Sequence, residues 1–364
     1  MQEVLVFGSN GNGQLGIGHQ DDVSSIEQCF QTERTIKDIA NGSNHTMILL
    51  DNGDVFASGV KKAYFNVTVD FTNQFEKVDT GVKLIGTGWD FSVVINDNDE
   101  VIMRNSKGVI NFGKLIVDET DSIVSLRCSL NAVIVIYQSH RAFCWGDNKK
   151  GQLTGDCQGS KIINEFQELK FDDIRDSHEL QLIDVSMARY FNVFTMRNLR
   201  TNQLVIVMRC KADNYNMVSD LKTYFNCDLI GEISVNRSLV FCVDKHVEVD
   251  YIKTMWSSIH AMVKGEIKST GSNVYGQLLQ SSQLKDVELA YFNTGTEHGV
   301  AVDKAMKKVY AWGWGEHGNC GIVKDTEEKG GLNELYLCRQ DETVSSIYAG
   351  YANTWIVVNK NSCS

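Results

Sequence analysis

Short apolar runs recur along the chain, and many are followed by a tight polar turn and a second run. The run Thr46–Leu50 is followed by Asn52-Gly53, a dipeptide typical of hairpin turns, and then by Val55–Ser58. The same layout is found at Ser92–Ile95 with Glu100–Met103 and at Ile259–Val263 with Glu266–Ser269. The pattern predicts β-hairpins through most of the chain, and a short helix only at Ile162–Phe171.

Two sequence patterns alternate along the chain and mark it as a repeat protein. The first is an aromatic or small residue, Gly, a polar residue, Asn and then Gly-Gln-Leu. Its copies lie at Phe7–Gly18, Cys144–Gly155 and Ser269–Gln280, with an altered copy at Ala311–Ile322 and a degraded one at Phe56–Asn66. Glycines at such positions serve turns and the close approach of strands. These segments are not phosphate-binding loops, since Gly-x-x-x-x-Gly-Lys-Ser/Thr does not occur.

The second pattern is a usually small residue, two variable positions, a position that is often His or aromatic, and an apolar run. Seven copies start at Gly42, Gly88, Cys128, Ala188, Met255, Gly295 and Gly350. Successive copies start 40 to 67 residues apart, which suits a blade of antiparallel strands better than a helical repeat of about 34 residues. Because blades repeated around an axis protect their sheet edges, we predict an all-β fold, a seven-bladed β-propeller.

The two chain ends are predicted to share the last blade. The last copy, Gly350–Val358, has no partner strand after it, and the first strand, Val4–Gly8, has none before it. We therefore expect the N-terminal strand to complete the last blade, and residues 1–364 to form one propeller domain without an interior linker. Blade boundaries are least defined in Met196–Lys253, where the glycine motif is lost.

The composition and the charge of the chain exclude some classes of protein function. The chain has 364 residues and a net charge of −11, whereas a protein that binds nucleic acid through charge needs a basic face. Its longest apolar runs, Ala132–Tyr137 and Leu204–Met208, are too short to cross a bilayer, and its N-terminus does not resemble a secretory signal. The ten cysteines have no Cys-x-x-Cys spacing, so we expect reduced thiols in a cytoplasmic or nuclear protein.

The repeated histidine position is predicted to be structural. His45 and His298 occupy the same place in their copies, where the other copies carry Phe91, Asn131, Phe191, Ser258 and Asn353. A position shared by seven blades favours packing over catalysis, with the ring hydrogen-bonding the backbone of a neighbouring blade. In the first pattern, the leucines are expected to fill the gaps between blades; they are Leu15, Leu153 and Leu278.

Three features invite a catalytic or metal-binding interpretation. Glu297-His298 and Glu316-His317 are acid–His pairs, and Cys320 follows His317 by three residues. Neighbours along a strand point to opposite faces, so neither pair is expected to converge on one ion, and no Cys-x-x-Cys spacing supports zinc. We therefore predict no catalytic, cofactor or metal site. Hydrolysis in the central channel by Glu316, His317 and Cys320 is the weakest of three functional hypotheses.

Tryptophans outside the repeat consensus are the predicted partner-binding residues. Trp89, Trp256, Trp314 and Trp355 stand where sister blades carry Ser, Arg, Asn or Thr. Tryptophan is enriched at binding hot spots because it combines a large contact area with one polar group. An equal alternative is that these side chains fill local gaps. The predicted surface also includes residues of the same segments, namely Asp90, His260, Glu316 and His317.

The alternating G-x-N-x-x-G-Q-L-G and G-x-x-H-x-x-x-L segments resemble the regulator-of-chromosome-condensation propeller family over essentially the whole chain. The resemblance implies a propeller and, from the activity of the broader family, a guanine-nucleotide exchange factor for a small GTPase. The chain departs from the family by lacking proline and by its longer middle blades. Its negative charge and lack of a basic tail are unfavourable for nucleosome binding.

A narrower resemblance rests on Met255–His260, Gly313–Gly321 and Asn353–Val357, together with Phe7–His19. These segments are similar to the fungal killer-toxin-insensitivity propellers. That resemblance implies a non-enzymatic protein in a heterodimer with a small zinc protein, diphthamide biosynthesis protein 3. Through this partner it implies support of the diphthamide enzymes acting on elongation factor 2 and of Elongator-dependent tRNA wobble-uridine modification, without direct contact to nucleic acid or membrane. This is the main hypothesis, and nucleotide exchange is its alternative.

Overall fold

The computed structural model describes residues 1–61, 71–116, 118, 120–155, 161–210, 215–227, 229–232, 238–279, 281–284, 287–321 and 331–360. Within these residues nearly all regular structure is β-strand, and the strands form seven antiparallel sheets. The chain divides into two compact units. Unit 1 comprises Met1–Lys114 and Asn273–Ser364, and unit 2 comprises Leu115–Ser272. The single domain expected over residues 1–364 stays a prediction.

Among the residues that the structure describes, the N-terminal part of unit 1 contributes ten strands. They are β1 (Gln2–Gly8), β2 (Val23–Thr32), β3 (Ile36–Asn41), β4 (His45–Leu50), β5 (Val55–Val60), β6 (Phe71–Asp79), β7 (Val82–Thr87), β8 (Phe91–Asn96), β9 (Val101–Asn105) and β10 (Gly108–Gly113). Two of the hairpins predicted from the sequence are confirmed here, because β4 pairs with β5 and β8 pairs with β9.

Unit 2 contributes twelve strands and one α-helix within the described residues. They are β11 (Ile123–Ser129), β12 (Ala132–Tyr137), β13 (Ala142–Asp147), β14 (Ile162–Glu168), β15 (Leu180–Met187), β16 (Phe191–Asn198), β17 (Leu204–Cys210), α1 (Met217–Phe225), β18 (Leu229–Glu232), β19 (Ser238–Cys242), β20 (Val249–Thr254), β21 (Ser258–Val263) and β22 (Glu266–Gly271). A short 3₁₀-helix spans Ser177–Glu179. The third predicted hairpin is confirmed, because β21 pairs with β22.

The C-terminal part of unit 1 contributes the remaining described strands of this unit. Its strands are β23 (Leu289–Thr294), β24 (His298–Asp303), β25 (Lys308–Gly313), β26 (Asn333–Leu337), β27 (Glu342–Ala349) and β28 (Asn353–Lys360), and a 3₁₀-helix spans Ser281–Leu284. The strand orders in unit 1 are β2-β1-β28-β27, β3-β4-β5-β6, β10-β9-β8-β7 and β23-β24-β25-β26. In unit 2 they are β11-β12-β13-β14, β15-β16-β17-β19-β18 and β20-β21-β22.

The sheet pairing confirms the predicted fold class and its closure. Strand β1 pairs antiparallel with β28, with Val4 opposite Val357 and Val6 opposite Trp355. The N-terminal strand therefore completes the last blade as predicted. The fold is all-β, a seven-bladed β-propeller.

The inner strands of the blades are deeply buried. Every residue of β4 and of β12 is buried, including the polar His45 and Thr46 of β4, so neither strand alternates between buried and exposed positions. Leu15 belongs to a buried apolar cluster that includes Val4 and Ile39 of two different sheets, and Leu153 belongs to a corresponding cluster in unit 2. The leucines of the first repeat pattern thus fill gaps between sheets at these two positions, as predicted, and Leu278 is half-buried.

Two local predictions are wrong. Residues Ile162–Phe171 do not form a helix, because β14 pairs with β13 and buries Ile163 opposite Gly146. The cross-strand partners on β13 override the weak helical pattern of this segment. Asn131 is not the equivalent of His45, because the strand register places Ala132 opposite Gly146, as His45 lies opposite Gly59.

The helix α1 lies in the stretch where the sequence left blade boundaries undefined. Its buried residues recur every fourth position, at Met217, Leu221 and Phe225. They join an apolar cluster that includes Ile252 and Ile259 of a neighbouring sheet. Helix α1 is therefore an insertion that packs on the core of unit 2.

In five of the sheets, a glycine lies near the end of the third strand, at the same edge of each sheet. These glycines have φ between +92° and +123°; they are Gly8, Gly59, Gly146, Gly271 and Gly313. A Cβ added to Gly146 would lie 2.1 Å from the carbonyl oxygen of Asn131. The next residue, Asp147, donates its N–H to that carbonyl over 2.8 Å. A side chain at Gly146 would therefore displace the group that closes the hairpin.

The substitution Gly146→Ala is expected to destabilise the fold more than Gly108→Ala, as measured by the free energy of unfolding in urea. Both glycines have positive φ, so each variant should lose about 1 kcal/mol through backbone strain. A Cβ at Gly108 meets nothing within 4 Å, whereas a Cβ at Gly146 meets backbone atoms, so we expect a further loss of about 2 kcal/mol there. Equal losses in the two variants would contradict the role of the close approach.

Three histidines are completely buried: His45, His260 and His298. His45 hydrogen-bonds the backbone of Phe91, and His298 that of Asn353, each in a neighbouring sheet. The ring nitrogens of His260 lie 2.8 Å from the hydroxyls of Ser258 and Ser269. Burial disfavours the charged ring, which lowers the pKa of His45 and His260 to about 3 and that of His298 to about 4. The repeat histidines are structural, as predicted.

Acid is expected to destabilise the fold through these three rings. A histidine in the unfolded chain takes up a proton near pH 6.5, whereas the lowered pKa values keep the buried rings neutral to about pH 4 or below. The unfolded state therefore binds more protons below pH 6.5. Stability that is complete above this pH should fall as the pH decreases, by up to about 1.4 kcal/mol per pH unit for each ring.

Urea unfolding at several pH values between about 7.5 and 5 measures this dependence. The variant His260→Gln should lose about one ring's share of the slope, whatever its stability at neutral pH. Carboxylates contribute equally to both proteins, so the difference in slope isolates the histidine. An unchanged slope would refute the assignment.

Candidate functional site

Loops at one edge of each sheet carry most of the predicted site residues. Because the strands are antiparallel, the loop between the first and second strands and the loop after the third strand meet at the same edge. Trp89 and Asp90 follow the first strand β7, and Trp256 follows the first strand β20. The segment Trp314–His317 follows the third strand β25. Side chains in these loops lie outside the sheets, so the packing of the strands does not restrict them.

In unit 1, Trp314 is the centre of a partly exposed cluster of aromatic and charged side chains. Its ring packs edge-on against His317 at 5.3 Å between centroids and lies 6.3 Å from the ring of Tyr275. Its Nε1 donates a hydrogen bond to Glu316 Oε2 over 3.1 Å. His317 Nδ1 lies 2.7 Å from Asp22 Oδ2. We call Asp22, Tyr275, Trp314, Glu316 and His317 the Trp314 cluster.

Backbone hydrogen bonds hold the Trp314 cluster in place. Trp314 donates its N–H to the carbonyl of Glu297 over 2.9 Å, which is the closing bond beside Gly313. Its own carbonyl accepts a hydrogen bond from Asn319 Nδ2 over 2.8 Å. Asp22 is held from its other side, because its Oδ1 accepts the N–H of Asn10 over 2.7 Å. The indole therefore has little freedom to lose when a partner binds.

A second aromatic pair of unit 1 joins two loops of the same type. Trp89 follows β7 and Tyr351 follows β27, and their rings meet edge-on at 5.8 Å between centroids. Ser43, from the loop after β3, donates its hydroxyl to the carbonyl of Trp89 over 2.6 Å. Trp89 is 47% exposed, and Asp90 beside it is also exposed. This pair presents an aromatic surface with a carboxylate next to it.

In unit 2, Trp256 lies beside the cationic side chain of Arg189. The Arg189 guanidinium lies 5.0 Å from the ring centre of Trp256 and 5.0 Å from that of Tyr190. Tyr190 is 49% exposed, and its ring also faces the Lys150 ammonium at 5.6 Å. Trp256 therefore belongs to a basic surface, unlike Trp314 and Trp89.

Two of the eight predicted residues lie in the core. Trp355 is completely buried, packs 6.2 Å from the ring of Phe75 and donates its Nε1 to Asn353 Oδ1 over 3.1 Å. His260 is completely buried between two serine hydroxyls. Both side chains fill gaps within the sheets, which is the alternative weighed for the tryptophans, and we leave them out of the candidate surfaces.

Several residues of these surfaces were not predicted. Tyr351 occupies the same loop position as Trp89 and Trp256, so the repeat alignment alone could have identified it. Tyr275 lies in a copy of the first repeat pattern, where sister copies carry the polar residues Asn12, Lys150 and His317. Asp22 carries no such signal, because its partner His317 is 295 residues away in sequence.

The candidate acid–base groups do not converge. Glu297 Oε2 accepts a hydrogen bond from Gln277 over 3.0 Å, whereas the neighbouring His298 ring is buried and its Nε2 lies 3.1 Å from Thr354 Oγ1. Burial raises the pKa of the Cys320 thiol to about 12, and its Sγ packs on the carbonyl of Trp312. Among the described residues, no group of three or more His, Cys, Asp or Glu could hold a metal ion.

The helices in the described part of the chain include none that is long and apolar enough to span a membrane.

Sequence comparison supports part of the predicted resemblance. Residues 3–49 match the model of the Regulator of chromosome condensation (RCC1) repeat. The RCC1 repeat-containing protein C10F6.04 of Schizosaccharomyces pombe is 24% identical over 98% of this chain and 99% of its own length. The Secretion-regulating guanine nucleotide exchange factor of Bos taurus is 22% identical over 87% of this chain and 75% of its own length.

Solved structures of the same fold extend over the whole chain. Human WBSCR16 matches with a TM-score of 0.75 and 13% identity, over 99% of each chain. Prp20p of Saccharomyces cerevisiae, the yeast RCC1, matches with a TM-score of 0.74 and 14% identity, over 100% of this chain and 92% of its own. Prp20p is described by its binding to Gsp1p and histones. This chain thus carries an RCC1 repeat and has RCC1-type propellers as its structural neighbours.

Proposed function

We propose that this chain is a non-enzymatic, protein-binding propeller that acts as a guanine-nucleotide exchange factor for a small GTPase. The observation that carries the proposal is the Trp314 cluster of unit 1, in which hydrogen bonds hold an indole beside partly exposed acidic and aromatic side chains. The similarity to an exchange factor of Bos taurus and to Prp20p supports this choice over the zinc-protein hypothesis.

The side chains of the Trp314 cluster suit a hot spot at a protein interface. Trp and Tyr give a large contact area at small loss of conformational freedom. Trp314 loses little freedom because its N–H, its carbonyl and its Nε1 are all hydrogen-bonded. Tyr275, which is 52% exposed, widens the apolar contact around the indole.

Exchange requires tighter binding to the nucleotide-free GTPase than to the nucleotide-bound form, because only a difference in affinity shifts that equilibrium. Loss of the nucleotide leaves the phosphate-binding lysine and backbone N–H groups of the GTPase without their anion. The exposed carboxylates of Glu316 and Asp90 are suited to that positive surface. In this proposal the propeller stabilises the empty GTPase and performs no covalent chemistry.

Trp314→Ala is expected to reduce nucleotide release by about 30-fold, which is the loss of about 2 kcal/mol typical of a hot-spot aromatic. The assay measures release of a fluorescent GDP analogue from a panel of small GTPases, together with Gsp1p, at substoichiometric amounts of the propeller. The matched control is Leu337→Ala, which removes an exposed apolar side chain from the outer strand β26 of the same unit. The control should exchange as fast as the unmodified protein.

Failure to accelerate release from every GTPase of the panel would refute the proposal. Equal losses in Trp314→Ala and Leu337→Ala, with unchanged thermal unfolding, would remove the Trp314 cluster as the docking surface.

The second candidate function is binding of diphthamide biosynthesis protein 3, with support of the diphthamide and Elongator pathways through that partner. It is favoured by one observation: Gly313–Gly321, a segment of the narrower resemblance, contributes Trp314, Glu316 and His317 to one cluster. If the zinc protein docks on this cluster, Trp314→Ala should weaken its capture by about tenfold or more in calorimetry, and Leu337→Ala should leave it unchanged. An absence of heterodimer formation at micromolar concentrations of both proteins would refute this candidate.

A further inference from the structure

Unit 2 contains a cleft of about 270 Å³ whose walls are basic and aromatic. One wall is the loop after β13, which carries Lys149 and Lys150, and the other is the loop before β16, which carries Arg189 and Tyr190. This concentration of positive charge is unexpected in a chain with a net charge of −11. The Trp314 cluster lies in the other unit, so the cleft is a different surface from the one used in the proposed function.

The arginine of the cleft is held by aromatic rings and not by carboxylates. Arg189 is exposed and stacks between Tyr190 and Trp256 at 5.0 Å from each ring centre, and among the described residues no carboxylate forms an ion pair with it. Other arginines of the same unit differ, since Arg141 pairs with Glu168 at 2.7 Å and Arg209 with Asp173 at 2.8 Å. A guanidinium fixed by stacking keeps its N–H groups available for an anion.

The backbone of the lysine loop does not form an anion-binding nest. Lys149 donates its N–H to Asp147 Oδ1 over 3.0 Å, and Lys150 donates its N–H to Gln152 Oε1 over 2.9 Å. Gly151 donates to the carbonyl of Asn148 over 2.9 Å. An anion in the cleft would therefore be bound by side-chain cations and not by the converging backbone N–H groups of a phosphate loop.

The charge of the cleft and its exposed aromatic ring favour carboxylates on a polypeptide over a compact phosphate. Asp147 also lines the cleft, and its negative charge repels a doubly charged phosphate more strongly than a single carboxylate. Tyr190 presents a ring that is 49% exposed, which offers an apolar contact beside the cations. Carboxylates spaced along an extended chain with an apolar residue between them match both features.

We propose that this cleft, bounded by Lys149, Lys150, Arg189 and Tyr190, binds an acidic polypeptide segment of a partner protein. Glutamate or aspartate side chains of the segment pair with Arg189 and the lysines, and an apolar side chain packs on Tyr190. This inference goes beyond the proposed function, since it requires neither a GTPase nor the Trp314 cluster.

Fluorescence anisotropy with the full chain tests the proposal. The probe is a fluorescein-labelled peptide, Glu-Asp-Leu-Glu-Asp-Leu-Glu-Asp, and its reference is the same peptide with Gln and Asn in place of the acids. We expect the acidic peptide to bind at least tenfold more tightly than the neutral one, and its binding to weaken as the ionic strength rises from about 0.05 M to about 0.3 M.

Arg189→Gln should weaken binding of the acidic peptide by about fivefold, and the double variant with Lys150→Gln should weaken it further. The matched control is Arg175→Gln, which removes the same charge from a fully exposed arginine of unit 2 outside the cleft. This control should bind the peptide as the unmodified protein does. Thermal unfolding of each variant verifies that the fold is retained, and nucleotide release should be unchanged in all three.

Three results would overturn the proposal. The first is equal affinity for the acidic and neutral peptides. The second is an equal loss in Arg175→Gln and Arg189→Gln, which would mean that only net charge matters. The third is displacement of the acidic peptide by millimolar inorganic phosphate, which would make the cleft a phosphate site.

Discussion

The close contact at the end of the third strand is the constraint on which the rest of the structure depends. In five sheets the residue after a strand-ending glycine donates its N–H to the carbonyl that precedes the second strand. At Gly313 this bond is made by Trp314, and at Gly146 it is made by Asp147. Because the glycine has no Cβ, the two backbones approach closely enough for the bond to form. Each loop after a third strand therefore starts from a defined place, and both candidate surfaces are built on such loops.

The polar side chains of the first repeat pattern form hydrogen bonds with other residues of the same copy. The side-chain oxygens of Asn10 and Asn148 accept the N–H of Leu15 and Leu153, each over about 3 Å. Gln152 accepts the N–H of Lys150 in the same way. The consensus residues thus satisfy one another and orient the leucine into the gap between sheets. What remains for binding is the set of positions that vary between copies, and these are acidic and aromatic at Glu316 and His317 but basic at Lys149 and Lys150.

The features that repeat along the chain could be predicted from the sequence, because each copy of the repeat gives evidence for the same strands and turns. Seven apolar runs, the hairpin turns and the unpaired strand at each chain end were enough to predict seven sheets and the pairing of β1 with β28. The strand β14 lies outside both repeat patterns, and the helix α1 occurs once among the described residues, so no repeated signal corrected the local pattern. The slip at Asn131 arose because one residue more precedes β12 than the repeat spacing assumes.

The candidate surfaces were predicted only in part, since side-chain burial depends on the neighbouring sheet. Trp314 and Trp89 lie in loops and are partly exposed, as their departure from the repeat consensus indicated. Trp355 departs from the consensus as well, but it is completely buried in strand β28, and its ring packs against the ring of Phe75. Asp22 and His317 are 295 residues apart and belong to different copies of the repeat, so sequence spacing carried no information about their pairing.

The two surfaces differ in charge, and therefore in the distance over which each can attract a partner. The net charge of −11 attracts a basic partner from beyond contact distance, and the carboxylates around Trp314 extend that attraction to the surface itself. An acidic segment approaches the Arg189 cleft against the same field, so its attraction acts within about one Debye length, roughly 8 Å at physiological ionic strength. Electrostatic steering therefore speeds association at the acidic surface, whereas a free acidic segment reaches the cleft more slowly. The basic cleft is for this reason better suited to strengthening an existing complex than to initiating one.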